Sequence, residues 1–180
     1  MISKVYEILL THNRPLTLRE LIFFIIILSM ANLIFYMLLK KNKIKKFQII
    51  IGELLLLFIF VVLSSTVLTR LPGKERLYKL VPFWSWQEVI RGDVELLEEN
   101  LLNIILLFPF GFLLPFVFYR KISWYKALFA GVIFSFFIEI SQLILCRGLF
   151  ECDDIIHNSL GAVIGCIIAN KIFEKILENK

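Results

Sequence analysis

The chain has 180 residues, a formal net charge of +5, a mean hydropathy of +0.82 and 59% hydrophobic residues, including 18 phenylalanines. This composition excludes an ordinary water-soluble domain, because one core of this size cannot bury so much apolar surface. A helix needs about 20 mostly apolar residues to cross the hydrocarbon of a bilayer. The sequence therefore predicts an all-α, polytopic membrane helix bundle.

Five segments are long and apolar enough to be transmembrane helices, and a short amphipathic helix is predicted before them over residues 2–10. The spans lie at about residues 21–39, 49–69, 101–119, 126–146 and 155–173. Residues 1–48 comprise the amphipathic helix, the first span and a basic loop, and residues 49–180 contain the other four spans. Thr17 and Glu20 have the spacing of a capping box, which predicts the start of the first span.

The positive charge lies in short loops beside the spans, which indicates membrane topology rather than nucleic-acid binding. Loop 40–48 carries five lysines, and further basic residues lie in loop 120–126 and in the C-terminal tail. We therefore expect a cell-membrane protein with these segments in the cytoplasm. The N-terminus and the loops 70–100 and 147–154 are then outside, and the C-terminus is cytoplasmic.

The long loop 70–100 is predicted to cover the outer surface of the bundle rather than to be a flexible linker. Ser85 and Glu88 have the spacing of a second capping box, which predicts a short helix starting there. In the third span, Pro109 and Pro115 favour a kink over a functional break of the helix. In the fifth span, Gly161 and Gly165 form a G-x-x-x-G pattern, which lets two helix backbones approach closely.

Polar residues in and between the last two spans form the candidate site. Glu139 and Gln142 share a face of the fourth span, and Glu139 lies roughly 10 Å inside it at 1.5 Å per residue. A carboxylate at such a depth costs about 2–3 kcal/mol, so it should face the bundle interior with a partner or stay protonated. Arg147 and Arg70, at the outer ends of spans, are the expected partners. Helix association alone is the alternative explanation of the polar pair.

The fifth span continues this polar face outward. Asp154 and Asn158 fall on the same stripe as Gly161 and Gly165, and Asn103 lies at the corresponding depth of the third span. Helix capping alone explains one of Asp153 and Asp154, and His157 is expected to be an interfacial residue without a role as ligand or base. We therefore treat Asp153 and His157 as bystanders.

The cysteines suggest no cofactor. Cys146 and Cys152 flank the outer loop and form a disulfide if that side is oxidising, whereas Cys166 is expected to be a small apolar filler within a span. A metal site built from Cys146, Cys152, Asp153 and His157 has a spacing that matches no familiar zinc pattern. We expect neither a metal nor a cofactor.

Three stretches, taken in order, resemble the VanZ-like family. They are VPF at 81–83, NIILLFPFGFLLP at 103–115 and IEISQLILCRGLFECDDIIHNSLGAVIG at 138–165. The resemblance covers about residues 70–170 and implies a protein of the cell envelope, in a family whose namesake is associated with low-level resistance to the glycopeptide teicoplanin. By position it marks Pro82, Phe83, Asn103, Pro109, Gly111, Glu139, Gln142, Arg147, Asp154, Asn158, Gly161 and Gly165. The chain departs from the family pattern where Asp153 and Asp154 are adjacent, since the family's acidic pair is more widely spaced.

Two functional hypotheses fit these residues. In the first, the protein lies among membrane lipids and binds a lipid-linked envelope precursor or a lipoglycopeptide at the outer leaflet. The binding groups are then Gln142, Arg147, Asp154, Asn158, Asn103 and Arg70. In the second, the protein is a membrane-embedded enzyme in which Glu139 is the general acid or base and Arg147 holds a phosphate or carboxylate. A proton-coupled transporter is disfavoured because five spans lack the usual inverted repeat.

Overall fold

The computed structural model describes residues 13–178, except for the side chain of Leu177. The amphipathic helix predicted over residues 2–10 lies outside this range. The described elements, in chain order, are α1 (Leu18–Lys40), α2 (Lys46–Leu63) with a π-helical segment (Ser64–Leu68) directly after it, β1 (Leu77–Lys79), α3 (Trp84–Ile90), α4 (Val94–Phe118), α5 (Trp124–Leu145), β2 (Leu149–Glu151) and α6 (Cys152–Glu178).

Five of these helices are long and apolar enough to cross a membrane, which confirms the predicted fold class. The third begins at Val94 rather than at residue 101, because the Asp93 carboxylate accepts the backbone N–H groups of Glu95 and Leu96 and so caps the helix there. The fifth begins at Cys152 rather than at residue 155. The first turns of both helices therefore lie in what the sequence suggested were loops.

Helix α1 lies at the edge of the bundle and contains no buried residue. Its predicted capping box is confirmed, since Thr17 and Glu20 exchange hydrogen bonds between side chain and backbone. The Glu20 carboxylate also pairs with Arg14, whose guanidinium donates to the carbonyl of Leu68 at the end of the π-helical segment. These bonds fasten the N-terminal end of α1 to the C-terminal end of α2. We call this end of the bundle the outer end, after the topology predicted from the charges of the loops.

The centre of the bundle is the pair α4 and α6, whose backbones approach closely at glycines. A Cβ atom at Gly161 would collide with the Ile104 carbonyl, and one at Gly165 would collide with the Phe108 carbonyl. The G-x-x-x-G pattern therefore packs two helices of this chain together, as small residues do in membranes. Gly111 of α4 allows the reciprocal approach, because a Cβ there would overlap the backbone of Ala162.

Helix α4 is continuous through its two prolines, both of which lie inside the helical range. Pro115 is buried, and so is Gly111 between the two prolines. The structure therefore has no break of α4 at this level, so the functional break that the sequence disfavoured is absent, and the kink stays a prediction.

The chain between α2 and α4 folds back onto the outer ends of α5 and α6. Strands β1 and β2 form a parallel pair in which Lys79 lies opposite Glu151, and the Gly73 amide donates to the Cys146 carbonyl at 2.6 Å. The short helix α3 is present, but the predicted Ser85 cap is wrong. The cap position is Phe83, in a left-handed conformation, and the Ser85 hydroxyl donates to Asp153 instead.

Candidate binding site

A cavity of about 350 Å³ lies between the outer ends of α4, α5 and α6 and the π-helical segment. We call it the polar cavity, because charged and amide side chains form much of its wall. Its lining residues are Thr66, Arg70, Glu99, Leu102, Asn103, Leu106, Ile138, Glu139, Gln142, Leu149, Glu151, Asp154 and Asn158. Its volume falls within the range of about 300–1,000 Å³ that is usual for small-molecule sites.

Helix α5 supplies the deepest polar wall through Glu139 and Gln142, which are 2% and 4% exposed. The Glu151 backbone N–H donates to Glu139 Oε2 at 3.0 Å, and Gln142 Nε2 donates to the Thr66 carbonyl at 2.9 Å. The spacing of the two residues along the helix is what directs both to one face. The Glu139 carboxylate is thus held in place by the strand that precedes α6.

Helices α4 and α6 supply a second wall. Asn103 Nδ2 donates to Asp154 Oδ1 at 2.7 Å, and Asn158 Nδ2 donates to the Ser135 hydroxyl at 2.8 Å. Asp154 and Asn158 lie one turn apart on the face of α6 that also carries Gly161, as the sequence predicts. The close approach of α4 and α6 at the glycines therefore brings these polar groups together at the outer end.

Arg70 is the cationic residue of the cavity lining. It follows the π-helical segment, whose end is fixed by Thr69, since the Thr69 hydroxyl donates to the Ser64 carbonyl at 2.7 Å. Arg70 lies close enough to Glu139 and Asp154 to attract both carboxylates. Within residues 13–178, its guanidinium lines the cavity and makes no hydrogen bond or ion pair with another side chain.

Arg147 does not line the polar cavity, and the ion pair that we expected it to form with Glu139 is absent from the described part of the chain. Its guanidinium instead donates to the carbonyls of Val67 and Leu68, at 2.9 and 2.8 Å. The π-helical turn leaves these carbonyls without partners in the helix, and a cation there is the ordinary way to satisfy them. Arg147 therefore stabilises the segment that carries Arg70.

Six of the seven predicted site residues, all except Arg147, line the polar cavity, together with polar groups that sequence reasoning missed. The six are Arg70, Asn103, Glu139, Gln142, Asp154 and Asn158. The missed polar residues are Thr66, Glu99 and Glu151. Glu99 precedes Asn103 by one helical turn, so an earlier predicted start of α4 would have placed both on one face. Glu151 carries no such signal, because its position depends on the pairing of β2 with β1.

Glu151 lies at the outer rim of the cavity, outside the spanning helices. Burial raises the pKa of its carboxyl above the usual range, the nearby Glu99 carboxylate raises it further, and the Lys79 ammonium acts in the opposite direction. Its Oε1 atom is buried and has no hydrogen-bond partner among the described residues. The rim of the cavity is therefore rich in acceptors.

Asp153 and His157, which the sequence suggested were bystanders, hold the outer helix α3 against α6. The Asp153 carboxylate is 1% exposed and accepts the backbone N–H groups of Phe83 and Ser85, at 2.5 and 2.9 Å, together with the Ser85 hydroxyl. His157 Nε2 accepts the indole N–H of Trp86 at 2.8 Å. The two residues have a structural role outside the cavity lining.

The cysteines take no part in the cavity lining. Cys146, Cys152 and Cys166 are free thiols, so no disulfide closes the loop between α5 and α6. The described residues also contain no group of three or more His, Cys, Asp or Glu residues arranged to hold a metal ion.

A second, apolar groove of about 510 Å³ lies between α1, α2 and α5. It shares its π-helical wall with the polar cavity, because Val67 and Leu68 line the groove whereas Thr66 and Arg70 line the cavity. Arg19 and Glu20 lie at the outer end of the groove, and the remaining lining is almost wholly apolar. A hydrocarbon chain fits the chemistry of this groove.

Comparison with known proteins gives a family but no individual relative. A family model described as VanZ/LLP1 matches residues 23–174, from α1 to near the end of α6. The match begins well before the motifs seen in the sequence and includes most of the first span. No curated protein and no solved structure matches the chain.

Proposed function

The chain belongs to the VanZ/LLP1 family, and on this basis we propose that it binds a lipid-linked or lipidated ligand, with the ligand's polar headgroup in the polar cavity. Through this binding it lowers the sensitivity of the cell to glycopeptides such as teicoplanin. The ligand is a lipid-linked envelope precursor or a lipoglycopeptide. The surrounding partners are membrane lipids.

The observation that carries this proposal is a polar cavity enclosed by helices whose exposed faces, on the periphery of the bundle, are apolar. Glu139, Gln142 and Asn158 are buried yet line the cavity. Polar groups at membrane depth are costly, and they usually mark the path or site of a polar ligand. The apolar groove on the other side of the π-helical segment supports a ligand with a hydrocarbon part.

The distribution of lysines supports a site that opens toward the outside of the cell membrane. The polar cavity lies at the end of the bundle that carries β1, α3 and β2, whereas the loop with five lysines lies at the opposite end. Under the positive-inside rule the lysine-rich end is cytoplasmic. The headgroup then binds at the level of the outer leaflet, where envelope precursors and glycopeptides meet.

Teicoplanin sensitivity tests this function directly. We expect expression of the wild-type chain in a susceptible host to raise the inhibitory concentration of teicoplanin, and Arg70→Gln to abolish the effect at equal membrane level. Glu88→Gln is the matched control, since Glu88 pairs with Arg91 on the exposed surface of α3. A glycopeptide without an acyl chain separates the two ligand types. Equal sensitivity with wild type, Arg70→Gln and empty vector contradicts the proposal.

A membrane-embedded enzyme acting on the same headgroup is the second candidate. It is favoured by the placement of Glu139, whose carboxyl is buried, oriented by the Glu151 amide and part of the cavity wall. Such a group is suitably placed to donate or accept a proton from a bound headgroup. If the chain is an enzyme, Glu139→Gln should abolish the rise in the inhibitory concentration of teicoplanin while ligand binding and the membrane level of the protein are unchanged. Loss of ligand binding itself favours the binding function.

A further inference from the structure

We infer that the polar cavity selects a zwitterionic headgroup, one with a primary ammonium group next to a phosphate or carboxylate. This inference rests on the proposed binding function and specifies the chemical class of its ligand. It comes from the balance of donors and acceptors in the cavity wall, which is strongly uneven.

The charged groups of the wall are four carboxylates and one guanidinium. The carboxylates belong to Glu99, Glu139, Glu151 and Asp154, and the guanidinium belongs to Arg70. Carboxyl groups gathered in a confined space either keep their protons or are paired with a positive charge, and a ligand ammonium supplies such a charge together with three N–H donors. Arg70 in turn supplies a site for an adjacent anion, because a guanidinium forms paired hydrogen bonds with phosphate or carboxylate.

The amide groups show the same imbalance. Each amide nitrogen already donates one of its two N–H bonds to an acceptor of the protein: Asn103 to Asp154, Gln142 to the Thr66 carbonyl and Asn158 to Ser135. Acceptors, in contrast, remain without partners. The Asn158 side chain is 2% exposed and lines the cavity, yet its Oδ1 atom has no hydrogen-bond partner within residues 13–178.

Glu151 Oε1 is a second buried acceptor without a hydrogen bond in the same range, and the Trp84 indole N–H, which is also buried and unpartnered there, lies near enough to favour the charged form of this carboxyl. A buried polar atom that lacks a hydrogen bond costs free energy unless a water or a ligand satisfies it. The unsatisfied atoms of this wall accept hydrogen bonds, so the ligand group that fits them is a donor. An ammonium group fits both the charge and the hydrogen bonding, whereas a headgroup with anionic groups alone fits only Arg70.

Lipid selectivity of the purified full-length chain tests this inference. The probe is a mixture of equal parts of phosphatidylethanolamine, phosphatidylcholine and phosphatidylglycerol with identical acyl chains, and the bound lipids are counted by native mass spectrometry. We expect phosphatidylethanolamine to be enriched about tenfold over phosphatidylcholine, because the choline nitrogen has no N–H to donate. Phosphatidylglycerol lacks the ammonium and should be enriched no more than phosphatidylcholine.

Three variants control the result. Glu99→Gln changes an exposed residue at the rim and should reduce the preference several-fold without disturbing the fold, and Glu139→Gln should reduce it further. Glu88→Gln replaces a carboxylate outside the cavity and should keep the full preference. Equal preference in Glu99→Gln, Glu139→Gln and wild type would overturn the inference.

The remaining outcomes separate this inference from the proposed function. If the wild type prefers phosphatidylglycerol and Arg70→Gln abolishes this preference, the inferred selectivity for an ammonium group is wrong. The proposed headgroup site then still stands. Equal retention of all three lipids by wild type and Arg70→Gln would contradict both. Free phosphoethanolamine and free alanine, added as competitors, show whether the zwitterionic ligand is a lipid or a soluble molecule. Competition by either one supports an ammonium site open to soluble ligands, and retention of phosphatidylethanolamine against both supports a site for the lipid.

Discussion

Replacing Asp153 by alanine should detach the outer helix α3 from the bundle. The change removes the acceptor of the Phe83 and Ser85 backbone N–H groups, which lie 2.5 and 2.9 Å from the carboxylate. Each buried donor left without a partner costs about 1–3 kcal/mol, so the two together predict a loss of about 2–6 kcal/mol in the free energy of opening this segment. The Ser85 hydroxyl loses its acceptor as well.

Hydrogen exchange of the backbone amides of residues 83–91 measures this opening. Because each 1.4 kcal/mol is a tenfold change, we expect exchange in Asp153→Ala to be at least about thirtyfold faster than in wild type. Asp93→Ala is the matched control. Asp93 also accepts two backbone N–H groups, but at the exposed start of α4, where the loss of a cap costs about 0.5–2 kcal/mol.

The comparison between the two variants tests the reasoning. If burial makes the Asp153 bonds costly to lose, Asp153→Ala must accelerate exchange over 83–91 far more than Asp93→Ala does. Equal exchange of this segment in Asp153→Ala and wild type would show that α3 is held by other contacts, such as the packing of Trp86 on His157.

Three further predictions concern pH, packing and topology. The pKa of Glu151 is raised on folding, so the stability that this group contributes should fall as the pH rises from about its ordinary value of 4.5 through the raised value. Glu151→Gln should flatten this dependence of the melting temperature on pH between about pH 4.5 and 8. Identical slopes for the variant and the wild type would contradict the burial of this carboxyl. Gly161→Ala should lower stability by about 1–3 kcal/mol or more through overpacking against α4, whereas Gly73→Ala, which meets only an ordinary contact at 3.4 Å, should be tolerated; equal melting temperatures would refute the close approach. In a background without native cysteines, a membrane-impermeant maleimide added to intact cells should label Arg91→Cys and spare Lys43→Cys, and the reverse pattern would invert the topology.

The helices of this fold could be predicted because their signal lies within each segment. Apolar length located all five spans, and the Thr17 capping box and the Gly161 pattern gave local geometry that the structure confirms. The ends of the helices were harder to predict. The start of α4 at Val94 depends on Asp93, a cap in a charged stretch that hydropathy assigned to a loop.

The site could be predicted where helical spacing decides which residues share a face. Glu139 with Gln142, and Asp154 with Asn158, lie together because each pair is about one turn apart. Arg147 shows where this reasoning fails, since its partners are carbonyls that a π-helical turn leaves free. No property of the sequence announces such a turn, so an arginine at the outer end of a span was expected to pair with the buried Glu139 carboxylate.

The pairing of strands far apart in the chain could not be predicted from the sequence either. Glu151 reaches the rim of the cavity because β2 pairs with β1, about seventy residues earlier in the chain. The same fold-back of the outer loop brings Ser85 to Asp153, which converts an expected helix cap into a contact between distant segments. Both features depend on tertiary contacts that a local pattern does not encode.

Photo-crosslinking from the wall of the polar cavity tests most directly whether a headgroup ligand binds there. Leu102 lines the cavity, whereas its neighbour Leu101 is 47% exposed on the outside of the bundle. A diazirine-bearing side chain at position 102 should capture a headgroup-selected lipid-linked molecule from living cells, and Arg70→Gln should abolish this product. The same group at position 101 should capture bulk membrane lipids regardless of Arg70. Bulk lipids alone at both positions, unchanged by Arg70→Gln, would contradict the proposed site.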